Sequence, residues 1–405
     1  MPRFFATTAK GIESITADEL KRLGAENVEQ SFGGVYFEGG NELLYRANLS
    51  LRTATRVLVP LREFAAKTPE MLYDQVRRIK WENYLNPEMT FAVDCTIAGS
   101  KTLRKGMEGR KEGGELPRPR LATDPAPLTE RLNHSRYAAL KVKDAIVDQL
   151  RHKQGARPNV DAASPDIQVV VYLHGGRCIL SLDSSGPSLH ERGYRLRDSG
   201  APLKETLAAA IIDLSGWDPK TPFIDPMCGS GTLPLEAGLK ALNIAPGLFR
   251  ERFGFFGWPD FDQALWTKVV DDARAQINKR VEAPILGLDH DREAIGVALE
   301  NSKRAGLTKL VHFERRGLET LAPIGDKPGT VIANPPYGER LGEVEELKSL
   351  YTMLGDLFKQ KMKGYTACIF TGNLELAKHV GLRATRRIEL FNGPIDCRLL
   401  KYDLY

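Results

Sequence analysis

The sequence predicts an α+β region followed by an α/β domain of the doubly wound class, in which helices cover both faces of a mainly parallel sheet. From Leu203 onward, short apolar strands alternate with helical patterns, as expected for such a sheet. Before that point, strand candidates and helical stretches form an α+β region that precedes any ligand-binding motif. The length of 405 residues exceeds what one core usually supports, so we expect two or three domains.

The first region opens with a strand and an amphipathic helix. Ile12, Ile15, Leu20 and Leu23 recur at helical spacing and form one apolar side. Apolar runs bounded by turn residues mark the strands of the region. We expect strands at residues 4–8, 33–37, 56–61, 91–97, 167–174 and 178–182, and helices at 11–24, 69–79 and 136–150.

The second region contains short buried strands, the last two of which should form a hairpin. We expect strands at residues 222–225, 285–289, 311–314, 330–333, 367–370, 387–391 and 396–402, and a helix at 233–242. An aromatic cluster lies between the first two strands, at Phe253, Phe255, Phe256, Trp258 and Phe261. Because aromatic side chains usually dominate packing, we expect a local core here rather than a platform for stacking bases.

The segment Asn334-Pro335-Pro336-Tyr337, which follows an apolar strand, indicates methylation of an amino group. The amine of a nucleobase is a poor nucleophile, so an enzyme must orient its lone pair. Asn334 offers one acceptor oxygen, the Pro335 carbonyl offers a second, and successive prolines restrict the backbone that carries them. Tyr337 offers a face on which a base can stack. The alternative is a Pro-Pro turn that only ends a strand.

Two further strand ends suggest a cofactor site. The run from Phe223 to Thr232 passes from a short strand through a Gly-rich turn into a helical pattern. Its glycines allow a ligand to approach the backbone, and Asp225 could bind an ammonium group. Asp289 ends a second strand, where such folds receive the ribose hydroxyls of an adenosine. Together with the Asn-Pro-Pro-Tyr segment, these pieces resemble the S-adenosylmethionine-dependent methyltransferases of the doubly wound class.

Composition argues against several other classes of protein. No run is long and apolar enough to span a membrane, and residues 1–5 lack the organisation of a signal peptide. We therefore expect a cytoplasmic enzyme. Five cysteines are scattered without a Cys-x-x-Cys pair, so neither a disulfide framework nor a metal site is expected. The net charge of +5 is compatible with a polyanionic partner and decides little.

Motifs along the whole chain resemble the bacterial 23S ribosomal RNA guanine-N2 methyltransferases that carry a THUMP domain. They comprise residues 4–13, 33–37, 158–161, 189–195, 204–210, 225–232 and 334–341. The resemblance implies a ferredoxin-like region at 1–65, a THUMP RNA-binding domain at 66–185 and a class I, Rossmann-like methyltransferase domain at 186–405. It implies N2-methylation of a guanine in 23S ribosomal RNA or a large-subunit precursor, with S-adenosylmethionine as cofactor.

The resemblance and the motifs together give a set of candidate site residues. The catalytic candidates are Asn334, Pro335, Pro336 and Tyr337. The cofactor-binding candidates are Lys204, Glu205, Thr206, Asp225, Pro226, Met227, Cys228, Gly229, Gly231, Thr232, Asp289, His290, Gly317, Leu318 and Asn334. The substrate-binding candidates are Arg192, Tyr194, Arg195 and Tyr337, and the alternative for the 192–195 cluster is a set of salt bridges between the two halves of the chain.

The chain departs from the family pattern at two places. Residues 99–127 look inserted, are rich in Lys, Arg, Gly and Pro, and are expected to be mobile. Their basic residues could contact RNA, but glutamates dilute the charge, so a solvated loop is equally compatible. Residues 315–319 lack the Asp that commonly contacts the adenine amine. In some relatives a second methyltransferase domain follows on the same polypeptide.

Direct in-line transfer is the mechanism that these residues favour, because amine methylation needs no covalent enzyme intermediate. Cys228 is therefore expected to pack rather than to act as a nucleophile. His190 is either a structural residue or a phosphate ligand or general base. Alternative functions are guanine-N2 methylation of transfer RNA, N6-methylation of adenine in DNA, and RNA binding without catalysis in an assembly factor.

Overall fold

The computed structural model describes residues 1–98, 132, 134–195, 203–338 and 343–405, without the side chains of residues 343 and 344. The predicted insertion at residues 99–127 lies outside these ranges, as do residues 339–341 of the Asn-Pro-Pro-Tyr motif. The described chain forms two compact units. The first unit comprises Met1–Leu58, Ser184–Phe253 and Asp262–Tyr405, and the second comprises Val59–Asp183 and Gly254–Phe261.

The strands and helices are numbered in chain order. The strands are β1 Arg3–Thr8, β2 Glu26–Ser31, β3 Gly34–Glu38, β4 Ala54–Ala65, β5 Thr90–Ile97, β6 Asn159–Val160, β7 Ile167–His174, β8 Arg177–Asp183, β9 Phe223–Asp225, β10 Ile285–Asp289, β11 His312–Arg315, β12 Thr330–Ala333, β13 Thr366–Thr371, β14 Arg386–Asn392 and β15 Ile395–Asp403. The helices are α1 Glu13–Arg22, α2 Asn41–Ser50, α3 Pro69–Arg77, α4 Ser135–Gln154, α5 Glu205–Ser215, α6 Thr232–Ala241, α7 Gln263–Ala275, α8 Arg292–Arg304, α9 Glu343–Lys361 and α10 Leu374–Lys378.

The second unit is an α+β fold. Strands β8, β7, β5 and β6 are neighbours in that order, and the pairing of β5 with β7 and with β6 is parallel. Its core is lined by α3 and α4 and includes the fully buried Trp81. Phe255 packs edge-on against Phe256 and lies beside Phe261, so the predicted local aromatic core is confirmed for these three rings.

The first unit contains both ends of the chain. Near the amino terminus, β2, β3, β1 and the start of β4 pair in that order, and β1 is antiparallel to both of its neighbours. Ile12 and Ile15, at the start of α1, are buried in the same core cluster as Leu390 and Ile212 from the later part of the chain. The amino-terminal region and the carboxy-terminal α/β domain therefore share one hydrophobic core.

A seven-stranded sheet forms the α/β part, in the order β11, β10, β9, β12, β13, β15, β14. The pairings from β11 to β13 are parallel, while β15 runs antiparallel to β13 and β14. The predicted doubly wound fold and its terminal hairpin are confirmed. The strand order reverses between β9 and β12, and in such sheets a ligand crevice opens at this point, at the carboxyl ends of the strands.

Among the residues described, no helix combines the length and apolar character needed to cross a membrane.

Candidate active site

Two motifs that are far apart in sequence meet because their strands are neighbours. Strand β9 pairs with β12, with Phe223 opposite Thr330. The Gly-rich turn follows β9, and Asn334 follows β12 directly. Both loops therefore leave the same edge of the sheet at the reversal of strand order, where the fold predicts the ligand crevice.

The Gly-rich turn has a conformation that requires glycine at two positions. Gly229 has φ +52° and Gly231 has φ +84°, which are left-handed values. A Cβ on Gly231 would lie 2.8 Å from the ring of Phe313, whereas a Cβ on Gly229 would meet no heavy atom within 4 Å. Gly231 is thus needed for close packing, and Gly229 borders open space that a ligand can fill.

Asp225 ends β9 with a carboxylate that is 2% exposed. Its Oδ1 accepts a hydrogen bond from the backbone N–H of Met227 at 3.1 Å. Burial raises the pKa of this carboxyl to about 8, the Met227 hydrogen bond opposes the shift, and the nearby Asp289 adds to it. Among the side chains that the structure describes, no cation pairs with this carboxyl, and the ammonium group of a ligand would supply one.

Asp289 is held at the end of β10 by two backbone donors. Its Oδ2 accepts from Gly229 N–H at 2.9 Å, and its Oδ1 accepts from Asp291 N–H at 3.0 Å. A carboxylate has about four acceptor sites, so both oxygens retain capacity for further hydrogen bonds. The Gly-rich turn and the second acidic strand end are therefore joined directly, in a form that suits the two hydroxyls of a ribose.

The remaining predicted cofactor residues at this edge follow β10 and β11. His290 is exposed, and its Nδ1 lies 3.4 Å from Oδ1 of Asp289. The backbone N–H of Arg316 donates to the carbonyl of Asp289, which brings Gly317 and the buried Leu318 to the same edge. A Cβ on Gly317 would lie 2.1 Å from the Glu319 carboxylate, so that carboxylate lies close to Gly317.

Lys204 immediately precedes α5, and Glu205 and Thr206 are its first two residues. Lys204 is exposed, whereas Glu205 and Thr206 are buried. Burial raises the pKa of Glu205 to about 7, against the lowering effect of Arg195. Arg195 connects this segment to the Gly-rich turn, because its Nε lies 3.1 Å from Oε1 of Glu205 and its Nη2 donates to Oγ1 of Thr232 at 2.6 Å.

The residues at this edge of the sheet therefore fit S-adenosylmethionine. The buried Asp225 suits an ammonium group, Asp289 suits ribose hydroxyls, and the space beside Gly229 admits a ligand. Among the described residues, no group of three or more His, Cys, Asp or Glu is placed to hold a metal ion.

The Asn-Pro-Pro-Tyr loop is held in place by hydroxyl groups. The hydroxyl of Tyr337 donates to Oδ1 of Asn334 at 2.8 Å. The hydroxyl of Tyr351, on α9, donates to the carbonyl of Pro336 at 3.3 Å and lies 2.8 Å from Oγ1 of Thr371. Within the described part of the chain, no hydrogen bond reaches the Pro335 carbonyl, so this carbonyl is available to a substrate amine.

Arg192 and Tyr194, which we expected to contact RNA, lie in the interior, each 1% exposed. The guanidinium of Arg192 donates to the carbonyls of Leu189 and Arg52, and its Nε lies 3.5 Å from Oε1 of Glu236. The hydroxyl of Tyr194 donates to the same Glu236 oxygen at 3.0 Å. In this arrangement neither side chain presents a donor to RNA. The ion pair of Arg192 with Glu236 lies within the later part of the chain, and the hydrogen bond to the Arg52 carbonyl links it to the amino-terminal region.

A cleft of about 1000 Å³ lies beside this cluster. It is lined by residues from the 187–195 segment, the start of α5, residues 249–252 and the end of α8, and arginines and lysines outnumber glutamates by six to three. Burial lowers the pKa of His190, at its edge, to about 4, and Lys204, Arg192 and Arg195 add to the shift. The neutral His190 lies 2.8 Å from Oγ of Ser188. The cleft is a region of concentrated positive charge.

Cys228 lies within the turn and is buried, and burial raises the pKa of its thiol far above its usual range. A thiol that keeps its proton is a poor nucleophile.

Sequence reasoning missed the residues that support the catalytic loop. Thr371 ends the buried strand β13, and Gly372 and Asn373 follow it. The side-chain amide of Asn373 donates to the carbonyl of Tyr337 at 2.9 Å. A Cβ on Gly372 would lie 3.0 Å from the Tyr337 ring. The sequence pattern that predicted Asp225 and Asp289, a polar residue at or just beyond the end of a parallel strand, would also have indicated Asn373.

Three family models match successive parts of the chain. The RlmL ferredoxin-like domain matches residues 3–58, and the THUMP domain matches residues 66–111 and 128–183. The RMKL-like methyltransferase domain matches residues 192–401, which contain six strands of the seven-stranded sheet and most of β15.

Individual relatives extend over the whole chain. A Synechocystis sp. protein named as a candidate RNA methyltransferase is 43% identical over 99% of this chain and 97% of its own length. The ribosomal RNA large subunit methyltransferase K/L of Syntrophotalea carbinolica is 42% identical over 99% of this chain, which spans 53% of that protein. Among solved structures, SMU.472, a candidate methyltransferase in complex with S-adenosylhomocysteine, has a TM-score of 0.84 and 31% identity, with coverage of 100% of this chain and 98% of its own.

The fold and the site define an S-adenosylmethionine-dependent methyltransferase. More specifically, the chain belongs to the RMKL-like methyltransferase family.

Proposed function

We propose that the protein methylates the N2 amine of a guanine in 23S ribosomal RNA. The observation that carries this proposal is the pair of acceptors at the end of β12, Oδ1 of Asn334 and the carbonyl of Pro335, beside the cofactor turn at the end of β9. An exocyclic amine carries two N–H donors. Two fixed acceptors match that pattern, whereas a hydroxyl or ring-carbon target would leave one of them unused.

The reaction follows from this geometry. Bound at the turn, the cofactor supplies an electrophilic methyl group on a sulfonium sulfur. Asn334 and the Pro335 carbonyl hold the amine protons and so turn the nitrogen lone pair toward the crevice. N2 forms a bond to the methyl carbon as the bond from that carbon to sulfur breaks, and the sulfur keeps the electron pair and becomes a neutral thioether. N2 then loses one proton, which passes to water. The buried, protonated Cys228 thiol supports a mechanism without a covalent enzyme intermediate.

An RNA substrate is supported by the front of the chain and by its relatives. The THUMP match at residues 66–111 and 128–183 and the RNA-directed names of the two relatives favour RNA over DNA. Ribosomal RNA is favoured over transfer RNA by the large-subunit name of the K/L relatives. An assembly factor without catalysis is disfavoured, because it would leave the Asp225 and Asp289 site without a purpose. A base inside folded RNA must first be unstacked, at a cost of a few kcal/mol.

The basic cleft is a further part of this proposal. RNA phosphates are bound by lysine and arginine, and Lys204 and Arg304 line the cleft from exposed positions. We assign backbone contacts to this cleft in place of Arg192 and Tyr194, whose side chains are buried.

The experiment that tests the proposed function is transfer of a tritiated methyl group to ribosomal RNA, transfer RNA and DNA, followed by nucleoside analysis. N2-methylguanosine in 23S ribosomal RNA is the expected product. Label in N6-methyladenosine, in transfer RNA alone, or in no nucleic acid would overturn the proposal.

Replacing Asn334 with Ala tests the catalytic loop. The variant removes one acceptor and leaves Asp225, Asp289 and the basic cleft intact, so cofactor and RNA affinity should persist. The single-turnover rate should fall on the order of 10²–10³-fold, as for removal of one preorganised polar group. A parental rate would mean that the loop is only a turn at the end of β12.

A further inference from the structure

The hydroxyl of Tyr337 lies 2.8 Å from Oδ1 of Asn334 and donates a hydrogen bond to it. Base stacking uses the face of an aromatic ring and has no need of a hydroxyl. The contact therefore gives Tyr337 a second property that stacking does not explain, and it falls on the atom that should accept a proton of the substrate amine.

The ring of Tyr337 is fixed on several sides. It meets Phe370 edge-on, with ring centroids 6.3 Å apart and an interplanar angle of 77°. Gly372 leaves room for it, since a Cβ there would lie 3.0 Å from the ring. The backbone of Tyr337 is held by the Asn373 amide at 2.9 Å. A hydroxyl on a ring held this way occupies a defined position, and Asn334 must adapt to it.

The hydroxyl also keeps its proton. Burial raises the pKa of Tyr337 well above its ordinary value, with Cys397 and Tyr351 adding to the shift. Tyr337 is therefore a neutral hydroxyl that can donate throughout the working range of pH.

An asparagine amide has two orientations of similar shape and opposite chemistry. With Oδ1 toward the amine it accepts a proton, but after a half-turn it presents Nδ2, whose two N–H groups oppose the N–H groups of the substrate. Asn334 is half-buried, so water reaches part of its side chain and can hydrogen-bond to either orientation of the amide without favouring one. A fixed donor selects the orientation in which Oδ1 accepts, and it leaves a second lone pair on that oxygen for the amine.

We infer that Tyr337 is a positioning residue whose hydroxyl sets the orientation of the Asn334 amide for the methyl-transfer step. The inference rests on the proposed acceptor role of Asn334. It adds the group that keeps Oδ1 of Asn334, rather than Nδ2, directed at the substrate amine. Phenylalanine at position 337 would keep the ring and lose the orientation.

A double-mutant cycle tests the inference, because aspartate has two equivalent oxygens and no orientation to select. Tyr337→Phe should lower the single-turnover rate about tenfold, the size of one hydrogen bond of about 1.4 kcal/mol. The Kd values for cofactor and RNA should stay the same. In the Asn334→Asp background the same change should cost less than about twofold, since the carboxylate always presents an acceptor.

Tyr351→Phe is the matched control. It removes a buried tyrosine hydroxyl of α9 that contacts the same loop, but one that bonds to the Pro336 carbonyl rather than to Asn334. It should cost less than Tyr337→Phe. Equal rate reductions in the two tyrosine variants, or an equal reduction from Tyr337→Phe in both Asn334 backgrounds, would overturn the positioning role while leaving the proposed function intact. An inactive Asn334→Asp enzyme would instead overturn the acceptor role on which both proposals rest.

Discussion

At the scale of single residues, the most consequential group is the carboxyl of Asp225. It is almost fully buried, receives one backbone hydrogen bond from Met227 and has a second carboxylate, Asp289, nearby. Such a group destabilises the ligand-free fold whenever it is ionised, and a bound cation removes that cost. Binding affinity and fold stability are therefore opposed at this residue.

Replacing Asp225 with Asn should change fold stability and cofactor affinity in opposite directions. The folded pKa of about 8 lies above the ordinary aspartate value, so Asp225 contributes its full stability at low pH and loses that contribution as pH rises from about 4 to 8. The asparagine variant should match the parent near pH 4 and exceed it at pH 8 to 9, by about 1–3 kcal/mol, in urea unfolding. Its cofactor affinity should fall in calorimetry.

The exposed Asp326→Asn is the control for that experiment, and it should change neither property. A variant at position 225 that is less stable than the parent at pH 8 would show that the carboxylate is favourably paired in the ligand-free fold.

Residue-level expectations failed where the partners were remote in sequence. We expected Arg192 and Tyr194 to bind RNA because they lie in sequence between the two halves of the chain. Their burial depends on Arg52, 140 residues from Arg192, and on Glu236, 42 residues from Tyr194. Pattern within a segment carries no information about such partners. The pairing of Tyr337 with Asn334 is local, yet the position of the Tyr337 ring depends on Phe370, in β13, and on Gly372, just after it.

At the scale of elements, the Gly-rich turn links stability to cofactor binding. Gly231→Ala adds a Cβ to a residue with φ +84° and places it 2.8 Å from Phe313. A left-handed conformation costs about 1–2 kcal/mol for a residue with a Cβ, and the close approach to Phe313 adds to this. We expect a lower Tm and abolished cofactor binding in calorimetry.

Gly306→Ala is a suitable control for the turn. Gly306 has φ +68°, but a Cβ there would meet no heavy atom within 4 Å. The substitution should incur only the conformational cost and leave the cofactor Kd unchanged. If the two variants lose affinity equally, general destabilisation rather than the shape of the turn is responsible.

Elements with strong apolar patterns were predictable from sequence. Strands β7, β10 and β12 begin and end where expected, because buried strands of a covered sheet consist of continuous or alternating apolar residues. Strand β2 was missed, since Glu26–Ser31 is mostly polar and mostly exposed and is held by its pairing with β3. Helix α2 was missed as well, although its buried face packs in the first unit.

At the scale of the whole molecule, positive charge is concentrated at the basic cleft beside the methyltransferase site. The full chain should bind structured RNA with an affinity that falls linearly, on logarithmic axes, as salt rises, because binding to phosphates releases counterions. Neutralising Lys204 and Arg304 to Gln should lower the magnitude of that slope by about 1 for each phosphate that the cleft no longer binds. Filter binding over a range of salt concentrations measures it.

Lys220→Gln with Lys279→Gln removes the same charge from exposed positions outside the cleft. This control should keep the parental slope. A slope that changes equally in both double variants would mean that net charge, and not the cleft, governs RNA binding.

The first unit is assembled from three separate stretches of chain, Met1–Leu58, Ser184–Phe253 and Asp262–Tyr405. During synthesis, residues such as Arg46 and Arg52 leave the ribosome long before their partners Asp272, Leu239 and Ile244 exist. The second unit is nearly contiguous in sequence, so its core can fold before the partners of the amino-terminal region have been synthesised. The amino-terminal region is therefore synthesised first, but its core is completed only when the carboxy-terminal part of the chain has been made. A ribosome that stalls before residue 240 leaves an amino-terminal segment with exposed apolar surface, which chaperones would need to protect.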